Sequence, residues 1–172
     1  MSFCKTTVCM LIAMNVFTNS ILANNAISLE DAVKKGFLKL VIKSRGGYTG
    51  DVIEMKLQNN SSQKLDLNIE AGRRLDSKIS TEQDILVTQS QDFFVNAKQT
   101  RTLMVYGMCC QAHNSCPRNN SDYSIGKLAD SNLVKLANFI DKNKYYTNFT
   151  AQQAVWVVSD NKSLASITDG DK

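Results

Sequence analysis

Cys109, Cys110, His113 and Cys116 fall within eight residues, in the run MVYGMCCQAHNSCP. Thiols and imidazole are the side chains most able to ligate metals, form cross-links or act as nucleophiles. His113 is the only histidine of the chain, and the two other cysteines, Cys4 and Cys9, lie near its N-terminus. Three chemistries follow from these residue types. In an oxidising compartment Cys116 would bridge to Cys109 or Cys110 and leave one thiol over, whereas a bridge between the adjacent Cys109 and Cys110 would be strained. Zinc favours such nitrogen and sulfur donors, but it usually draws them from two separated segments. Four donors in eight residues are hard to wrap into a tetrahedron, so no metal is expected. A Cys–His hydrolase would pair Cys110 with His113, yet catalytic pairs normally come from distant segments, and the chain has neither a second histidine nor a nucleophile elbow. No catalytic residue and no cofactor are assigned on this basis.

The compartment matters for choosing among these chemistries. Lys5 followed by the apolar run Val8–Phe17 and small residues up to Ala23 has the order of a secretory signal, so segment 1–23 is expected to be removed along with Cys4 and Cys9. The mature chain of about 150 residues is then one secreted, periplasmic or cell-surface domain covering 24–172, and no later run is apolar and long enough to cross a membrane. Loss of Lys5 takes the net charge from +4 to +3. The doublets Lys34-Lys35 and Arg73-Arg74 are isolated, so nucleic acid is not an expected partner.

The elements that position the cluster follow from the hydrophobic period. ISLEDAVKK reads as a short helix with Ser28 as N-cap and Gly36 as its stop. Leu38, Leu40 and Ile42 alternate with more polar neighbours. So do Ile53, Met55 and Leu57, and then Leu65, Leu67 and Ile69. Further strands are expected over 84–89 and 101–108. Short antiparallel strands at this spacing suggest an immunoglobulin-like β-sandwich over about 36–108. Beyond the cysteines the period changes. Leu133, Leu136, Ala137 and Ile140 fall on one helical face, with Asp130 or Ser131 as cap. A second helix, capped by Thr150 with Gln153, would turn Ala154, Val155 and Val158 inward. The expected fold is α+β, with a sandwich followed by a small helical part at about 124–168 and the cluster at their junction.

Two segments resemble the thioester domains of bacterial surface adhesins, the TQXA type. The first is Tyr106-GMCC-QAHNSC-Pro117 with Tyr123 beyond it, and the second is Ala151-Gln152-Gln153-Ala154-Val155-Trp156, with Ala151 where the family has threonine. The resemblance implies an internal thioester between Gln152 and either Cys109 or Cys110, with Tyr106, His113 and Trp156 in support. Such an acyl group can be captured by an amine on a target surface. It would need an apolar, water-excluding pocket. The reading is therefore of a secreted or envelope interaction module with a protein or surface amine as partner. The competing readings are a structural or assembly protein with a disulfide-stapled loop, and a secreted thiol hydrolase.

Overall fold

The computed structural model of the chain describes residues 26–167; segment 1–23, with its expected signal and Cys4 and Cys9, lies outside them. A two-residue strand β1 (Ile27–Ser28) leads into helix α1 (Leu29–Lys34). The Ser28 hydroxyl accepts from Asp31 N at 3.1 Å, and Lys34 reaches back to Glu30. Strands β2 (Leu38–Arg45), β3 (Thr49–Asn59), β4 (Leu65–Ile69), β5 (Arg73–Ser77), β6 (Ile85–Val87), β7 (Gln91–Val95), β8 (Thr100–Cys109) and β9 (Asn119–Leu128) follow, and then helices α2 (Ser131–Asn143) and α3 (Phe149–Ser159).

The immunoglobulin-like sandwich expected over about 36–108 is not the fold. Six strands form a closed barrel in the order β2-β3-β8-β6-β5-β9, and β1, β4 and β7 make a separate three-stranded sheet. The strand that decides this is β9. It pairs with β2 on one side, with Ile42 opposite Tyr123, and with β5 on the other, with Leu75 opposite Ile125, so the sheet has no free edge. Alternation with one dry face describes a sandwich leaf and a barrel wall equally well. β9 itself, NNSDYSIGKL, carries few apolar residues and reads as polar loop. It also places the cysteine cluster between two barrel strands rather than at a β-to-helix junction.

Ile42, Ile53, Met55, Leu57, Leu75, Ile85, Val87, Val105 and Tyr123 fill the barrel, and their cluster continues into Leu29 of α1 and Leu67 and Phe93 of the small sheet. A second cluster lies on the outer side of β6 and β8. There Leu86, Met108 and Cys110 meet Leu133, Ala137 and Ile140 of α2 and Ala151 and Val155 of α3. The packing of β6 against β8 is close at Gly107, where an added Cβ would lie 2.3 Å from Ile85 Cγ2 and 3.0 Å from the Leu86 carbonyl oxygen.

Asp130 caps α2 by accepting from Asn132 N and Leu133 N. In α3 the cap is Asn148 rather than Thr150; its Oδ1 accepts from Ala151 N at 2.8 Å. The buried face of α3 also differs from the expected one. Ala151, Gln152, Val155 and Val157 are buried, Ala154 is half-buried and Val158 is exposed. A polar residue takes the inward position because its carboxamide finds two main-chain partners there. Among the described residues no helix is long and apolar enough to cross a membrane.

Candidate functional site

The site is built on the last residue of β8. Ile85 of β6 lies opposite Cys109, and on the other flank β3 ends at Thr49, opposite Met108. Beyond that end the Cys109 N–H donates to the Tyr48 carbonyl at 3.0 Å and to Gln152 Oε1 at 2.9 Å. Gln152 Nε2 donates to the Cys109 carbonyl at 2.8 Å. The carboxamide thus pairs with Cys109 as a neighbouring strand would. Gln152 has no exposed surface, and both ends of its amide are satisfied.

Side chains alternate across a strand, so the two adjacent cysteines face opposite ways. Cys109 belongs to the barrel cluster and Cys110 to the helix-facing cluster. Burial pushes both thiols up, Cys109 far above the usual thiol range and Cys110 to about 12. Both therefore stay protonated at neutral pH.

Cys116 returns to the same place by way of the loop 110–118. That loop is fastened along its length to the segment before β6. Cys110 N donates to the Asp84 carbonyl, the Gln111 carboxamide pairs with Asp84, and Ser115 N and its hydroxyl both donate to the Thr81 carbonyl. The end of α3 holds the loop from the other side through Ser159 and Asp160, which accept from Gln111 N and Ala112 N. The Gly46–Gly47 turn, with φ of +80° and +85°, presents its backbone to the Cys109 sulfur, and Cys109 Sγ lies 3.9 Å from the Gly47 carbonyl oxygen. Burial raises the Cys116 thiol. The buried Glu82 adds its negative charge nearby; its carboxylate faces Arg118 Nε at 3.3 Å.

Aromatic rings gather around Trp156, which packs against the barrel cluster. Trp156 packs against Tyr48 and Phe149 with ring centres 6.3 and 6.5 Å apart, and its indole N–H donates to Gln83 Oε1 at 2.9 Å. Tyr48 and Phe149 meet edge-on at 5.9 Å. Tyr123 donates its hydroxyl to the Gln83 carbonyl. Tyr106 stacks on Tyr146.

Of the residues singled out in the sequence, Cys109 and Gln152 come together, and Trp156 packs against the cluster that contains Cys109. His113 does not join them. It is 71% exposed, and its Nδ1 faces Asp160 at 3.9 Å. It is thus not positioned as the base of a cysteine hydrolase. Cys110 lies across the strand, so Cys109, Cys110, His113 and Cys116 do not converge on one point. Among the described residues no group of three His, Cys, Asp or Glu is arranged to hold a metal ion. Tyr48, Gly47 and Gln83 were not singled out from the sequence; Gly47 and Gln83 contribute through backbone or amide groups, which leave no trace in hydropathy, and Tyr48 contributes its carbonyl as well as its ring. A groove of about 670 Å³ lined by Glu30, Arg74, Asp76 and residues 125–130 includes none of the cysteines. Comparison with protein-family models, with curated proteins and with solved structures returned no match.

Proposed function

We propose that this chain is an exported interaction module in which Cys109 and Gln152 form an internal thioester, the acyl group by which it would attach to an amine-bearing surface. The observation that carries the reading is the contact between the fully buried Gln152 carboxamide and the Cys109 main chain, at 2.8 and 2.9 Å. It favours Cys109 over Cys110, whose side chain lies on the other face of β8.

The chemistry follows from those bonds. Cys109 Sγ adds to Gln152 Cδ. The Cys109 N–H already donates to Oε1, where negative charge grows in the tetrahedral intermediate. The C–N bond then breaks, and ammonia leaves with the thiol proton. A primary amine later attacks Cδ, forms an amide and returns the thiol. The raised thiol slows the first step; fixing the carboxamide on the Cys109 main chain offsets this by proximity. The acyl group would need water kept from it, and the Gln152 side chain has no exposed surface.

Intact mass tests the reading. The mature chain should be lighter by one ammonia, and methylamine should add to it in a single equivalent at Gln152. A chain of full mass, or one short only of the two hydrogens of a disulfide, overturns it. Gln152→Glu is the matching control, since a carboxylate does not expel ammonia.

A further inference from the structure

The seam that closes the barrel is short. β2 and β9 pair at Ile42 with Tyr123, at Lys43 with Asp122 and at Arg45 with Asn119, and not beyond. In the same register Leu40 would next face Ile125 and Leu38 would face Lys127, but neither pair forms. Both strands run on regardless, β2 against β3 down to Leu38 and β9 against β5 out to Leu128. A groove of about 460 Å³ lies where they part, lined by Leu38, Leu40 and Ile42 from β2 and by Tyr123 and Ile125 from β9. Backbone alternation tells which main-chain groups face it. Asn59 N donates to the Gln99 carbonyl, towards β8, so its partner Leu38 turns its own N–H and C=O away from β3, and Leu40 follows with the same parity. On β9 the Asp122 carbonyl accepts from Lys78 N on the β5 side, so Tyr123 and, two residues on, Ile125 face β2. Leu38, Leu40 and Ile125 thus bring main-chain donors and acceptors to the groove with no strand opposite them. Lys39 and Lys78 are the charged residues of the lining, and both are exposed. Among the described residues neither is ion-paired, and the nearby Asp122 is taken by Lys43 at 2.9 Å.

We infer that this gap in the barrel wall is a docking site for an extended, acidic segment of a partner protein, which adds a strand beside β2. The site is independent of the thioester. A strand laid there pairs with Leu38 and Leu40 along β2, and its inward side chains meet the apolar floor. Its outward side chains pass between Lys39 and Lys78, and carboxylates there supply the counter-charge that the lining lacks. Main-chain pairing gives the affinity, and the two lysines select an acidic sequence. A fatty-acid carboxylate would use the same floor and the same lysines but would leave the Leu38, Leu40 and Ile125 peptide groups unpaired. The parted strands therefore favour a peptide over an acyl chain.

The test titrates the ¹⁵N-labelled mature chain with a six-residue peptide of alternating valine and glutamate. Both its ends are blocked, so it offers no amine and the result does not depend on the thioester. The amide resonances of Leu38, Leu40 and Ile125 should shift and exchange more slowly with solvent. Affinity should fall roughly tenfold in the double variant Lys39→Gln/Lys78→Gln, whose fold circular dichroism checks. It should fall by a similar factor when the peptide is N-methylated at its valines, whose N–H groups face β2 in an antiparallel pair. A peptide with arginine in place of glutamate should bind far more weakly. Equal binding of the acidic and basic peptides overturns the inference, and so does undiminished binding after N-methylation. Shifts confined to other surfaces overturn it too, as do shifts at these residues with dodecanoate but not with the peptide, which would mark an acyl-chain site. Hydrogen exchange of the free protein tests the gap itself. The Leu40 amide should exchange faster than those of Lys39 and Val41, which face β3, and equal protection of all three would show that the seam is closed there.

Discussion

The two sides of the end of β8 carry the same side chain in two different settings. On the barrel side Cys109 meets a turn backbone and a glutamine that grips its own peptide group. On the helix side Cys110 meets aliphatic groups from α2 and α3. One neighbourhood offers partners with which sulfur can react, and the other offers only packing. Adjacent cysteines with similar burial can therefore have opposite roles, and burial alone does not tell them apart.

The sharpest way to break the comparison is to remove the group that ties the two sides together. Gln152→Met keeps the volume but leaves the Cys109 carbonyl without its donor inside a closed site. Unfolding free energy should fall by about 3 kcal/mol, from an unmet buried hydrogen bond together with imperfect refilling. Gln152→Glu should cost less in acid, where a protonated carboxyl can both accept from Cys109 N and donate to Cys109 O. Its cost should grow as pH rises and that proton is lost. Urea denaturation of the two variants across pH checks both statements. If Gln152→Glu is insensitive to pH, the two-sided pairing is not what holds the helix to the barrel.

Both sides also depend on β6 lying close to β8. Gly107→Ala puts a methyl group where Ile85 and the Leu86 carbonyl already stand, and should lower stability by about 2–3 kcal/mol. Iodoacetamide labelling provides the local readout. In wild type the exposed Cys116 should react first and the buried Cys110 slowly; in Gly107→Ala Cys110 should become reactive. Unchanged Cys110 labelling would show that the helix-side core is not fastened at this point.

How far the sequence disclosed this arrangement depends on which force fixes each part. The helix caps at Ser28 and Asp130, the apolar stripe of α2 and strands β2, β3, β4 and β8 follow hydropathy and local hydrogen bonding, and those are written in neighbouring residues. The break in alternation at Gly107-Met108-Cys109-Cys110, four buried residues in a row, marks a strand covered on both faces. Barrel closure was not legible, because β9 is held by pairing to β2 and β5 and carries little apolar signal of its own. Gln152 stood out only through its motif. Its burial could not be read from polarity, since a buried glutamine is stable only where distant main-chain groups await it.

The smallest effect falls on the helix side. The Cys110 thiol is raised by burial from an ordinary value of about 9 to about 12. Below pH 9 the thiol carries its proton in both the folded and the unfolded chain and contributes no pH dependence. Between about 9 and 12 the unfolded chain releases that proton and the folded one retains it. The folded state then binds more protons, so stability falls as pH rises, with a limiting slope of about 1.4 kcal/mol per pH unit for one group. Cys110→Ala should remove that part of the slope between pH 9 and 11, at the cost of a small cavity that is independent of pH. Cys109 held in the thioester has no proton to lose, so Cys109→Ala should leave the slope as it is, whereas in a chain whose Cys109 is a free thiol, raised in the same direction, it should flatten the curve as well. Urea titrations of both variants therefore separate the reactive side of β8 from the inert one by a property that needs no partner, no amine and no knowledge of the target surface.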